Sequence, residues 1–295
     1  MSLNNLTIIH RMKMKQILLS AVIVLFFSHV SCEINKDDIL VFTVATEETD
    51  GYQRYQLSAK EFGIKPIVLG FGQEWKGGDI LRQPAGGWKV NLLKKALEEY
   101  KGQEKVILFT DSYDVLFLNN LDAIVNTFKT MDSKVVFGAE AYAWPKPELA
   151  EKYPVVTEGK RFLNSGLYIG YLEQVLELLN RDHIEDTEDD QLFFTKAYLD
   201  EEFRTKIGMQ LDHKSEIFMN LNGAENEIEI AKLESKETER YRLKNVITHT
   251  EPMIIHGNGP SKRTTLNYIG NYLPNAWNSK KDAYTVNLVN SNCQQ

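Results

Sequence analysis

Short apolar runs alternate with stretches of helical spacing through the first half of the chain. Ile39 to Thr46 (ILVFTVAT) reads as a buried strand, Gln53 to Gly63 as a helix closed by glycine, and Lys65 to Gly72 (KPIVLGFG) as a second strand. Lys89 to Gly102 has the spacing of an amphipathic helix and Lys105 to Ser112 is a third strand. A helix follows from Asn120, a plausible cap, to Met131, and Lys134 to Glu140 is a fourth strand. Apolar strands separated by helices predict a parallel sheet covered on both faces. Ligands of such sheets sit at the carboxyl ends of the strands. The second half is less regular. Phe162 to Leu172 reads as a strand or strand pair and Asp189 to Lys206 as a helix. Ser215 to Leu221 and Val246 to Pro260 read as further strands, and Thr265 to Leu273 as a closing helix. There is no repeat and no linker rich in Pro, Ser and Gly, so one domain is expected over residues 36–280, with a loose polar tail at 281–295.

The first residues follow another pattern. Arg11, Lys13 and Lys15 precede an apolar run from Ile17 to Phe27, and small residues follow near Ser31 and Cys32. A basic flank, a short apolar core and small residues predict a signal peptide over residues 1–32, with Met14 as an alternative start. The run is short for a membrane helix, so the mature chain is expected in the secretory pathway, in the endoplasmic reticulum lumen or secreted, with no stable membrane span. The formal charge of the full chain is −7, from 34 basic and 41 acidic residues. Loss of residues 1–32 removes three basic residues and no acidic one, so 31 minus 41 leaves −10. That balance argues against nucleic acid held on a general basic surface and suits a basic partner or a bound cation. The two cysteines are Cys32 and Cys293, so no disulfide is expected within the mature domain, whose core is large enough without one.

Four stretches carry candidate chemistry. In VILFTDSYDVLF a buried run ends in Asp111 and Asp114, which bracket a short turn. Asp and Ser are common in turns, but two carboxylates facing one point also suit Mg²⁺ or Mn²⁺, and Tyr113 between them offers a ring face for a base. In IIHGNGPSK, His256 follows an apolar run and precedes Gly257, Asn258 and Gly259, where the backbone can approach a ligand closely. Lys262 adds a cation suited to phosphate. An imidazole with two carboxylates favours Mn²⁺ over Ca²⁺. The glycine-rich stretch from Phe71 to Lys89 holds Trp75 and Trp88 and reads as a lid; it lacks the G-K-[ST] of a nucleotide-binding P-loop. In EDTEDDQ a solvated helix N-terminus explains most of the acids, but not necessarily Asp189 and Asp190 directly before an apolar run. Together these pieces describe a nucleoside diphosphate held by a divalent metal, which stabilises the diphosphate as a leaving group. That is the chemistry of glycosyl transfer from a nucleotide sugar.

The stretches VILFTDSYDVLF, KYPVVTEGKRFLNSGLYIGY, DDQLFFTKAYLD, LDHKSEIFMNLNGA, IIHGNGPSK and LNYIGNYLPNAW make the chain over residues 38–278 resemble the N-terminal glycosyltransferase domain of the procollagen lysyl hydroxylases. The resemblance implies an α/β GT-A fold, with a Rossmann-like, mostly parallel sheet and helices on both faces. It implies Mn²⁺ on Asp111, Asp114 and His256. Thr46, Trp75, Lys89, Tyr113 and Lys262 match positions around UDP, with Asn258 and Gly259 in the same loop as Lys262 and Tyr113 stacked on uracil. Trp144, Asp189 and Asp190 match positions near the donor sugar and acceptor, and Asn164 lines the same pocket. The implied reaction transfers glucose from UDP-glucose to galactosyl-hydroxylysine of collagen, with retention at the anomeric carbon. Lysine hydroxylation, which belongs to a later domain of the family's full-length members, is not expected of this chain. Transfer from another donor such as UDP-galactose, transfer to another acceptor, and binding without transfer are the alternatives.

Overall fold

Val106 to Thr110 is buried at every position, as a central strand covered on both faces requires. In the computed structural model, which describes residues 38–79, 85–233 and 240–269, this segment is β3 of a six-stranded sheet. The preceding elements are β1 (Ile39–Val44), α1 (Asp50–Glu61), β2 (Ile67–Leu69) and α2 (Gly87–Leu97). After β3 come β4 (Val115–Phe117), α3 (Leu121–Thr130), β5 (Val135–Glu140), β6 (Phe162–Tyr171) and α4 (Leu172–Leu179). Then follow α5 (Asp190–Leu199), α6 (Glu201–Lys206), β7 (Met209–Asp212), β8 (Phe218–Asn220), β9 (Ile228–Leu233), β10 (Arg240–Asn245) and β11 (Ile254–His256). The large sheet has the order β2-β1-β3-β6-β5-β7. β1 runs parallel to β2 and β3, and β5 parallel to β7. β6 runs antiparallel to both of its neighbours, β3 and β5. The sheet is therefore mostly parallel, as expected, with one reversed strand at its centre.

The centre is held by aromatic packing. Tyr168 of β6 lies directly opposite Phe109 of β3 and Phe137 of β5. Its ring stacks on both, with centroids 5.0 and 4.5 Å away, and Phe194 of α5 closes the cluster 5.0 Å from Phe137. Each such buried ring contributes about 1.5–3 kcal/mol of transfer free energy. The helices carry the caps their sequences offer. Thr49 accepts from the Tyr52 amide of α1, and Asn120, the expected cap of α3, accepts from the Ala123 amide.

Several expectations are corrected. The helix expected over 189–206 divides at Asp200, whose side chain caps a second helix through the Phe203 amide at 3.1 Å. Of the strand or strand pair expected over 162–172, the single strand Phe162–Tyr171 is found and Leu172 opens α4, while within 246–260 only Ile254–His256 forms strand. α4, β4, β7 and the β9–β10 hairpin are additions to the expected elements. At the closing segment a π-type turn, Lys262–Leu266, leads into a short helix at Asn267–Ile269, which is the end of the described chain. The expected signal segment 1–32, Cys293 and the tail 281–295 lie outside the described residues. Among the described residues no helix is long and apolar enough to cross a membrane.

A second sheet completes the site. Its order is β4-β11-β8, with β11 antiparallel to β4 and parallel to β8. In this register His256 stands opposite both Val115, the residue after Asp114, and Asn220. The small sheet thus brings the end of the DSYD turn, the histidine and an asparagine side by side.

Candidate metal and nucleotide site

The DSYD turn leaves the carboxyl end of β3 and is tied down on every side. Ser112 donates to the Val44 carbonyl at 2.7 Å, the Asp111 amide to the Gly166 carbonyl at 2.8 Å, and the Gly257 amide to the Asp114 carbonyl at 2.7 Å. Helix α1 approaches so closely that a Cβ on Gly51 would lie 2.1 Å from the Tyr113 carbonyl oxygen. The two carboxylates are therefore held where the turn puts them. His256 Nε2 is 3.4 Å from Asp114 Oδ1 and 3.8 Å from Asp111 Oδ2, and one ligand atom from each residue lies within 4.8 Å of the others. Ligands of one octahedral ion at about 2.1 Å stand about 3–4.3 Å apart, so the spacing suits one small divalent cation. Two carboxylate oxygens and an imidazole nitrogen suit Mn²⁺ better than Ca²⁺.

The charges at this point are strongly coupled. Burial works against the ammonium of Lys89, but Asp111 at 3.0 Å and Asp190 at 2.7 Å outweigh it and hold the proton well above the ordinary lysine range. Burial likewise opposes the charge of His256, and Asp114 and Asp111 raise its pKa in spite of that. Burial would raise the carboxyl of Asp114; His256, Lys262 and Lys89 bring it below its ordinary value. Lys262 is more open than Lys89, with its ammonium 3.8 Å from Asp114. The chain thus gathers Asp111, Asp114, His256, Lys89, Asp190 and Lys262 at one strand end.

Behind the histidine lies a buried amide network. Asn164 and Asn220 turn their side-chain oxygens to His256 Nδ1, at 3.1 and 2.9 Å. Glu140, at the end of β5, accepts from the amides of Asn164, Gln191 and Asn258. Burial pushes the Glu140 carboxyl up to about 7 although all three amides favour its charged form. Asn258, expected in a ligand loop, is 8% exposed; its side chain spans from Glu140 to the Asn222 amide and fixes the loop that carries Gly259. Only Asn164 and Asn258 of this network carry a signal of their own in the sequence; Glu140 ends an apolar run, Gln191 closes the acidic run EDTEDDQ and Asn220 sits inside the apolar run IFMNL.

The remaining expected residues divide clearly. The Tyr113 hydroxyl accepts from the Thr46 amide at 2.9 Å and lies 3.3 Å from the Thr46 hydroxyl, which fixes the edge of the ring. Trp144 is 55% exposed on the rim, and its carbonyl accepts from Gln191. Trp75 packs edge-on against the buried Trp88, and its indole donates to the Gly78 carbonyl at 2.6 Å, so it anchors the base of its loop. Residues 80–84 of that loop lie outside the described residues. Asp189 and Asp190 part company. Asp189 caps α5 by accepting from the Leu192 amide, and burial and then Asp190 push its carboxyl up to about 6. Asp190 pairs with Lys89. The acidic run before them closes α2, whose Gly87 and Trp88 amides donate to the carbonyls of Glu188 and Asp186.

Comparison with known proteins bears on this arrangement. A family model described as the PLOD GT domain matches residues 35–283. Procollagen-lysine,2-oxoglutarate 5-dioxygenase of Drosophila melanogaster is 53% identical over 246 residues, covering 82% of this chain and 33% of that protein. The multifunctional procollagen lysine hydroxylase and glycosyltransferase LH3 of Homo sapiens is 45% identical over 245 residues, covering 83% and 32%. The corresponding multifunctional protein of Caenorhabditis elegans is 44% identical over 254 residues, covering 85% and 34%. The chain spans about a third of the length of these relatives.

Proposed function

The chain belongs to the PLOD GT domain family, a glycosyltransferase domain of GT-A-like fold, and on that premise we propose that it transfers glucose from UDP-glucose to galactosyl-hydroxylysine of collagen, with retention, in the secretory pathway. The observation that carries the proposal is the convergence of Asp111, Asp114 and His256, with Lys89 and Lys262 beside them, at the carboxyl end of β3. The naming of a relative as procollagen lysine hydroxylase and glycosyltransferase supports the choice of acceptor.

In this reading Mn²⁺, when bound, offsets the charge of the diphosphate and stabilises UDP as it leaves. Asp111 and Asp114 supply oxygens and His256 supplies Nε2. Lys262, open and close to Asp114, meets the phosphate oxygens. Lys89 holds Asp111 and Asp190 in place and keeps the site's charge balanced. Tyr113, its hydroxyl pinned by Thr46, presents its ring to uracil. Trp144 lies on the acceptor side of the rim. The acceptor hydroxyl attacks the anomeric carbon from the face that UDP leaves. The bond from that carbon to the β-phosphate oxygen breaks, and the hydroxyl proton passes to that oxygen. Retention then needs no covalent adduct, in keeping with Asp189 being engaged as a helix cap.

A donor screen tests the proposal. UDP-glucose, UDP-galactose and their N-acetyl forms are offered with a galactosyl-hydroxylysine peptide and Mn²⁺, and the new linkage is assigned by NMR. UDP-glucose is expected to give at least about tenfold the turnover of the other donors, about 1.4 kcal/mol of discrimination, with an α-linked product. Preference for another donor, an inverted linkage or an absence of product contradicts it.

A further inference from the structure

We propose that Asn220 is a positioning residue that sets the tautomer of His256 and thereby aims the Nε2 lone pair at the cation. The inference rests on the metal site of the preceding reading. Asn220 is 1% exposed, and the β11–β8 register places it directly opposite His256. Its side-chain oxygen lies 2.9 Å from His256 Nδ1.

The orientation of the amide is decided by its other end. Asn220 Nδ2 lies 3.0 Å from the Ala139 carbonyl, which can only accept, so the NH₂ faces Ala139 and the oxygen faces the imidazole. Asn164 is oriented by the same logic. Its Oδ1 accepts from the Gly166 amide at 3.0 Å, and its Nδ2 donates to Glu140 at 3.1 Å. Both groups facing His256 Nδ1 are therefore acceptors, and Nδ1 carries a hydrogen. The lone pair available to a cation is on Nε2, the atom that faces Asp114 and Asp111. A ligating histidine whose other nitrogen donates to a fixed oxygen is held in ring orientation as well as tautomer, and loss of such a partner typically weakens metal affinity 10–100-fold. Space for the Asn220 amide is kept by Gly138, where a Cβ would lie 2.9 Å from Asn220 Nδ2.

Two substitutions separate this role from a purely structural one. Asn220→Leu removes both the acceptor for Nδ1 and the donor to Ala139. Asn220→Asp keeps an oxygen for Nδ1, replaces the donor to Ala139 with a carboxylate oxygen and adds a negative charge that favours the hydrogen on Nδ1. Mn²⁺ affinity, measured by paramagnetic resonance titration of the protein without donor, is expected to fall about 10–100-fold in Asn220→Leu and to stay within about threefold of wild type in Asn220→Asp. Equal loss in both variants assigns Asn220 to bridging β8 and β5 and overturns the proposal; so does unchanged affinity in both. Histidine nitrogen NMR of the Mg²⁺-loaded wild type gives a readout that needs no variant. The hydrogen is expected on Nδ1 of His256, and a hydrogen on Nε2 overturns the proposal. Failure of the wild-type protein to bind Mn²⁺ or Mg²⁺ instead contradicts the metal reading itself, and the two failures are distinct.

Discussion

Asp111→Asn is expected to lower Mn²⁺-dependent transfer by at least about a thousandfold, or ~4 kcal/mol of transition-state stabilisation, and to leave the fold intact. The substitution keeps the size and shape of the side chain. It removes one of two anionic oxygens from a three-ligand cluster that also relies on His256. It does not strand Lys89, which retains Asp190 at 2.7 Å. It gives up the Lys89–Asp111 ion pair at 3.0 Å but also removes one of two like charges whose ligand atoms lie within 4.8 Å of each other, so the thermal midpoint is expected to stay within about 4 °C of wild type. Loss of function without loss of stability marks a site whose charges are assembled for a ligand. Parallel measurement of turnover and thermal unfolding checks both halves. A variant that retains more than about a tenth of its turnover removes Asp111 from the ligand set.

Gly166→Ala is the second large effect, and it runs against the usual rule. An alanine in place of a glycine within a strand ordinarily stabilises it. At position 166 a Cβ would lie 2.4 Å from His256 Cε1 and 2.9 Å from Asp111 Oδ2. Neither neighbour is free to retreat. His256 is held by Asn164 and Asn220, and the Asp111 amide is bound to the Gly166 carbonyl itself. The glycine sits where the β5–β6 pairing shifts register, between Phe137 opposite Tyr168 and Gly138 opposite Asn164, so the strand bulges at the cation site. Gly166→Ala is expected to weaken Mn²⁺ binding at least about a hundredfold and to destabilise the fold by about 1–3 kcal/mol, as overpacking does. Metal titration and urea unfolding check the two effects. Retention of full metal affinity contradicts the site geometry.

The legible parts of the sequence were those where physical chemistry forces a local signature. The buried run of β3 ending in two aspartates is one, because carboxylates at the end of an apolar strand demand a positive partner. Asn120 as the cap of α3 is another. The direction of β6 was not legible, since an apolar strand reads the same whichever way it pairs. α4 has no separate signal in the sequence, because it starts at Leu172, directly after the last strand residue Tyr171, with no turn residue between them. In the β9–β10 hairpin, RYRLKN alternates charged and apolar residues, but the sequence ESKETE at 234–239 between the two strands carries no Gly, Pro, Asn or Asp turn signal. In the site the ligands themselves were legible and their supports were not. Glu140 looks like the end of an apolar run, Gln191 like the end of an acidic one and Asn220 like a lone polar residue in a strand, and their role exists only once β5, β8, β11 and α5 have met. Asp189 and Asp190 show the converse. Adjacent in sequence and alike in chemistry, they are separated by the fold into a helix cap and a partner of Lys89.

The most direct test of the metal-held diphosphate is equilibrium binding of UDP to the wild-type protein by calorimetry, with Mn²⁺ and again after chelation. UDP is expected to bind at least about a hundredfold more tightly with Mn²⁺ present, about 2.7 kcal/mol of linkage, and Asp111→Asn is expected to erase the difference. UDP binding that is equally tight with and without the metal would contradict it.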